Sequence, residues 1–209
     1  MSFIAIAEAK RQLADISDAI DEPLVLIGGL AVNQYVLTRE SQDIDLICDY
    51  DTSKAFLSKL YPTSEWRHKD ENSNEYRPAY SISNKLKSNY PKILIGPKIT
   101  ERGSYKYLDW EKLKEGAIAF EFEGRKLENI LVPSVESLCF TKFVSFMGRD
   151  LSQTTKIAQD LQDIQDLSND DSFKLGPFLY LILGSGFDQE LGKKFLMRLG
   201  KTGGSIKGS

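Results

Sequence analysis

The chain has 209 residues, 41% of them hydrophobic and 27% charged, with a formal net charge of −3; that suits one substantial globular domain or two small ones. A charge so small gives no global attraction to nucleic acid or to an anionic membrane, so any polyanion site has to be a local patch. Two cysteines, Cys48 and Cys139, and a single histidine, His68, exclude a disulfide framework, a cysteine-based zinc site and any mechanism needing two histidine ligands. In chain order, residues 3–20 carry apolar side chains at helical spacing and stop near Asp21-Glu22-Pro23. A β-branched run predicts a strand over 24–27, followed by a helix over about 30–37 and a second strand over 44–48. Asp51-Thr52-Ser53 reads as the cap of a helix over 54–60, halted before Pro62. Residues 62–75 are polar and expected to be irregular, His68 among them. Strands are expected over 77–83 and 92–95, a short helix over 108–115, and a strand over 117–123 with a turn at Gly124-Arg125. After Pro133 the pattern becomes helical: 134–147, 153–167, and one or two helices within 173–200. The N-terminus meets charge by its eighth residue, and the longest apolar run, Pro177–Leu183, is far short of the roughly 20 residues that span a bilayer. A cytoplasmic location is expected.

The stretch LVLIGGLAVNQYVLTRESQDIDLICD, residues 24–49, holds the chemistry. Alternate residues of a strand share a face, so Asp43 and Asp45 project side by side while Ile44 turns to the core. Two carboxylates on one face repel unless a cation lies between them, and an oxygen-rich site of this kind suits Mg²⁺. Gly28 and Gly29, between a strand and a helix, let backbone N–H groups come close to a phosphate. A phosphate cradle beside paired metal carboxylates is equipment for moving a phosphoryl or nucleotidyl group.

At these residues the chain resembles the DNA polymerase β-like nucleotidyltransferase superfamily, whose pattern is a strand, Gly-Gly or Gly-Ser, a helix, and Asp-x-Asp on the next strand. It is most similar to the AbiEii-type toxin and minimal bacterial nucleotidyltransferase group, in which Arg-x-Thr or Arg-x-Ser precedes the second motif; here the segment reads Arg39-Glu40-Ser41-Gln42-Asp43-Ile44-Asp45. The segments VPSVESLCFTKFVSFMGRD and KIAQDLQDIQDL extend the resemblance, matching the family lysine with Lys142, its arginine with Arg149 and its final D-x-x-D with Asp160 and Asp163. The resemblance implies an α+β fold: a nucleotidyltransferase-fold mixed sheet with flanking helices over 1–132 and a C-terminal helical domain over 133–200, with a Gly/Ser-rich tail over 201–209 expected to be disordered. It implies transfer of a nucleoside monophosphate from an NTP to an acceptor hydroxyl. Asp43 and Asp45 would hold Mg²⁺ or Mn²⁺, while Gly28, Gly29, Arg39 and Ser41 would bind substrate. Lys142 would neutralise triphosphate charge, and Asp160 would orient Lys142 or act as a base. A toxin or phage-defence role on tRNA, with a cognate antitoxin, follows from the same likeness.

One departure stands out. The wider superfamily often carries a third carboxylate on a later central strand, yet Pro91-Lys92-Ile93-Leu94-Ile95 has no acid. Glu121 and Glu123 share a face of the next clear strand and either substitute for it or form a solvated edge. Between residues 85 and 114, eight Lys/Arg (85, 87, 92, 98, 102, 106, 112, 114) face three acids (101, 109, 111), with Tyr90, Tyr105, Tyr107 and Trp110 interleaved, which fits an RNA acceptor. Two other readings stay open: a degenerate nucleotidyltransferase fold that binds a nucleotide or partner protein without turnover, and an RNA-binding module.

Overall fold

The structure, a computed structural model, describes residues 3–36, 41, 43–48, 59–60, 66–68, 80–82, 93–97 and 108–185. Helix α1 (Phe3–Ala19) buries Ala9, Leu13 and Ile16, the stripe its sequence spacing dictates. Carbonyls at its C-terminal end would otherwise lack partners. The Asn129 amide donates to the carbonyls of Ser17 and Ile20 at 3.2 and 2.7 Å, and Lys59 Nζ donates to that of Ala19 at 3.3 Å. No helix among the described residues is long and apolar enough to cross a membrane.

The strands are β1 (Leu24–Ile27), β2 (Ile44–Cys48), β3 (Trp66–His68), β4 (Tyr80–Ile82), β5 (Ile93–Pro97), β6 (Ile118–Phe122) and β7 (Arg125–Val132). They form one mixed sheet in the order β3-β4-β5-β2-β1-β7-β6. β1 lies antiparallel to β2 and parallel to β7, and β2 lies parallel to β5. Consequently the end of β1, the start of β2, the start of β5 and the end of β7 meet at one end of the sheet. Helix α2 (Gly28–Val32) leaves β1 at that end, and α4 (Val135–Gly148) leaves β7 there after Pro133, with the Ser134 hydroxyl accepting the Ser137 N–H as a cap. Helix α3 (Trp110–Lys114), between β5 and β6, is capped by Asp109. Helices α5 (Thr154–Ser168) and α6 (Leu175–Gly184) complete the described chain.

Leu24, Leu26, Ile44 and Leu46 share one sheet face and pack with α1, α2 and the start of α4 into the main core. Val25 and Ile47 on the opposite face are covered by Leu113 of α3. α4 is buried almost all round, as its nearly continuous apolar surface requires; Phe140, Phe143, Val144, Phe146 and Met147 join Ile157 of α5 in a second cluster, with Leu181 and Ile182 of α6 against it.

This is the α+β architecture expected, with four local corrections. The expected helix 30–37 starts earlier, at Gly28, and ends at Val32 in turns through Tyr35. Trp66–His68, expected to be irregular, forms a short strand at the sheet edge, because pairing with β4 supplies what the polar sequence does not advertise. The expected turn at Gly124-Arg125 lies at Glu123-Gly124, both with positive φ (52° and 77°). β7 was not expected as a strand at all. The expected helix over 54–60 is described only at Lys59 and Leu60, which are helical; the rest of it, much of the basic stretch and the 201–209 tail lie outside the described residues.

Candidate active site

Asp45 stands opposite Ile27 in the β1–β2 register, on the sheet face it shares with Val25 and Ile47, and Asp43 two residues earlier is exposed at the strand's entrance. Ile44 between them is fully buried on the other face. Gly28 follows Ile27 at φ +77°. A Cβ built on it would fall 2.1 Å from Asp45 Oδ2 and 2.9 Å from its Cγ. The space left by the missing side chain is therefore filled by the Asp45 carboxylate. Glycine is required here twice over, by backbone conformation and by contact. Gly29 is buried in α2. Ser41 is half-buried just before β2, and Arg39 lies outside the described residues.

Two adjacent carboxylates against bare backbone suit a hard cation such as Mg²⁺, which takes one or two carboxylates and fills its other positions with water and substrate phosphate. Among the described residues no group of three His, Cys, Asp or Glu side chains gathers. Leu94 of β5 is the residue paired with Asp45, and β5 reads Ile-Leu-Ile-Gly-Pro. No third carboxylate comes from that strand. Glu121 and Glu123 do not replace it: β6 is the far edge strand, three strands from β2 and so about 14 Å away, and both glutamates are exposed.

The helical residues are arranged differently from the expectation. Lys142 Nζ lies 2.8 Å from Asp163 Oδ2, with side-chain exposures of only 7% and 2%. Asp160 Oδ2 accepts from Arg149 Nε at 2.8 Å. Asp163, not Asp160, thus orients Lys142, and Asp160 orients Arg149. The pairing follows from α5's geometry: its buried stripe is Ile157, Asp160, Asp163, Leu167, so both acids face α4, while half-buried Asp166 accepts from Gln162 on the same helix. Glu136, the acid in α4's first turn, was not singled out from sequence; it is buried and its Oε1 accepts the Lys174 N–H at 2.8 Å, fixing the start of α6. An acid in the first turn of a mostly apolar helix was the signal available. Tyr35, just beyond α2, donates its hydroxyl to the Pro133 carbonyl at 2.8 Å and ties α2 to the start of α4. Burial, then the Asp170 and Glu136 carboxylates, push the Tyr35 phenol up to about 12. Burial, then Glu136, push the Cys139 thiol up to about 12, which leaves it unreactive at neutral pH.

The fold has solved counterparts. A crystal structure of ANT(2″)-Ia in complex with adenylyl-2″-tobramycin aligns with a TM-score of 0.57 over 86% of this chain and 95% of that one, at 12% identity. A solution structure of the antibiotic-resistance factor ANT(2″)-Ia, described with substrate-regulated conformation dynamics, aligns with a TM-score of 0.53 over 95% and 96%, at 14% identity. No family model matches the sequence, and no curated protein matches it. The architecture is shared with that of these two structures.

Proposed function

We propose that the protein moves a nucleoside monophosphate from an NTP to an acceptor hydroxyl, releasing pyrophosphate. The observation that carries this reading is the contact of the Asp45 carboxylate with the bare backbone of Gly28 beside Asp43, at the sheet end where α2 and α4 begin. Gly28 and Gly29 would offer backbone N–H groups to the triphosphate where α2 begins. Asp43 and Asp45 would hold Mg²⁺ or Mn²⁺, which when bound supplies positive charge to the reacting phosphates. The acceptor hydroxyl attacks the α-phosphorus in line; the new P–O bond forms as the bond to the β-phosphate breaks, and the hydroxyl proton passes to water. Ser41 and Arg39 precede the carboxylates in sequence and complete the substrate contacts in this proposal. Lys142 and Asp160 serve it by position: each is spent on an ion pair that joins α5 to α4 or to Arg149 at its end.

The finer reading, an AbiEii-type enzyme acting on tRNA as a toxin or phage-defence component with a cognate antitoxin, is supported by the Arg39-x-Ser41 approach to Asp43 and by the order Lys142, Arg149, Asp160, Asp163. A second acceptor class, a small hydroxylated molecule, is favoured by the likeness to ANT(2″)-Ia, whose structure holds an adenylylated aminoglycoside. The test is incubation with each α-labelled NTP, Mg²⁺ or Mn²⁺, and either total RNA or a small-molecule extract. Label in RNA supports the first acceptor and label in a small molecule the second. No label from any NTP, with nucleotide binding retained, sinks transfer and leaves a binding protein.

A further inference from the structure

A cavity of about 190 Å³ lies between α3, α4 and α6, lined by Asp109, Lys112 and Leu113 from the first, Ser137 and Phe140 from the second, and Leu181, Gly184 and Ser185 from the end of the third. Leu113 connects it to the site already described, because that side chain also covers Val25 and Ile47, on the sheet face carrying Asp43 and Asp45. Its distance from the carboxylates follows from the topology. Asp45 pairs with Ile27 on β1, and β7 is β1's other neighbour, ending at Val132 just before α4. The first turn of α4, with Ser137, therefore starts two strand spacings from β2, about 10 Å away.

We propose that this cavity seats the base of the donor nucleotide, and that Asp109 reads the base's edge, favouring bases with an exocyclic amino group over uracil. The proposal rests on the nucleotidyl-transfer reading and deepens it. The volume is below the roughly 300–1,000 Å³ of pockets for drug-sized ligands, so the cavity fits one ring system and not a whole substrate. Position separates donor from acceptor. An acceptor hydroxyl has to come within about 3–3.5 Å of the phosphorus, which places the acceptor against Asp43 and Asp45, whereas the base is held off from the α-phosphorus by the ribose. The walls suit a flat heterocycle: Phe140 and Leu113 are almost fully buried and held by the core clusters on either side, and an aromatic wall stacks on a base. Asp109 supplies the polar edge. Its Oδ1 accepts the Glu111 N–H at 3.0 Å as α3's cap, and among the described residues no hydrogen bond engages its second oxygen. A carboxylate only accepts, so it pairs with the amino group of adenine, cytosine or guanine and repels the O4 of uracil. Lys112 on the same rim offers a donor to a ring nitrogen or carbonyl.

The test is equilibrium binding of the four α,β-methylene NTPs with Mg²⁺, and of the four nucleoside monophosphates without metal, to the full chain and to Asp109→Asn. Asparagine caps a helix as well as aspartate, and unfolding curves check that the fold is kept. The expected result is about tenfold tighter binding of the A, C and G analogues than of U in the parent, lost or inverted in Asp109→Asn, whose amide donates to O4. An identical ranking in both proteins overturns the assignment, as does a variant that changes only the KM of the acceptor. A ranking that holds for monophosphates while no labelled transfer occurs supports the base site and removes the transfer reading. Transfer without any Asp109-dependent ranking does the reverse.

Discussion

Gly28 and Asp45 form a single unit, because the space a side chain would take at one is filled by the carboxylate of the other. Gly28→Ala adds left-handed strain of about 1–2 kcal/mol and pushes Asp45 from its position. The expected outcome is lost transfer together with a lowered Tm, read by labelled-nucleotide transfer and thermal unfolding. Asp43→Asn and Asp45→Asn should also abolish transfer, but with Asp43 exposed and Asp45 only half-buried, their unfolding curves should stay near the parent's; full activity in both would end the catalytic assignment. Tyr35 and Cys139 predict an alkaline weakness. Both hold their protons more tightly folded than unfolded, up to about 12 against ordinary values of 10.0 and 9.0. The unfolded chain therefore binds fewer protons above pH 9, and stability falls as pH rises from there towards 12. Tyr35→Phe and Cys139→Ala should each flatten that decline in a series of Tm against pH, with Tyr35→Phe also losing the Pro133 hydrogen bond.

Helices α4 and α5 are joined by one nearly solvent-free ion pair and one partly exposed one. Removing one partner from the buried pair leaves an uncompensated charge, so Lys142→Met or Asp163→Ala should cost about 3–5 kcal/mol, while the double variant Lys142→Met/Asp163→Leu should recover most of it. That double variant decides the role of Lys142. A folded, active protein makes the lysine a positioning residue; a folded, inactive one returns it to the triphosphate. This pairing was only half legible in the sequence. The row Asp160, Asp163, Asp166 showed acids on neighbouring faces, but which two turn inward depends on where α5's apolar stripe meets α4. β1, β2 and the long helices were legible because their apolar periodicity is unbroken over a full element. β7 was hidden by an irregularity. Ala119 pairs with Leu131 but the adjacent Phe120 pairs with Leu127, so Leu127 and Ile130, three apart, both face the core. The bulge destroys the period of two that marks a strand, and the Asn129 amide inside it is committed to the end of α1. Gly28 and Asp45 were each legible, but their mutual contact was not, since it depends on the β1–β2 register.

The sheet as a whole sets how many cations the site can hold. With Leu94 beside Asp45, Glu121 out on the edge strand and Glu123 in the turn after it, Asp43 and Asp45 are the carboxylates available at this end of the described sheet. Two divalent ions close together need more negative charge than that, so titration with Mn²⁺ and a non-transferable NTP should show one tight ion, and Glu121→Gln and Glu123→Gln should leave turnover unchanged. A complex with a second well-occupied ion ligated by either glutamate would contradict this. The same strand order also bears on how the chain is made. β1 acquires β2 soon after it emerges, but its other edge stays open until β7 is synthesised, since Leu24 waits for Ile130 and Val25 for Leu131. Nascent chains shorter than that expose a central, wholly apolar strand edge, the kind of surface that recruits chaperones or aggregates. Its closure is a long-range event of the sort that slows folding, so the protein's yield in a cell depends on how quickly translation runs from the first strand to the last.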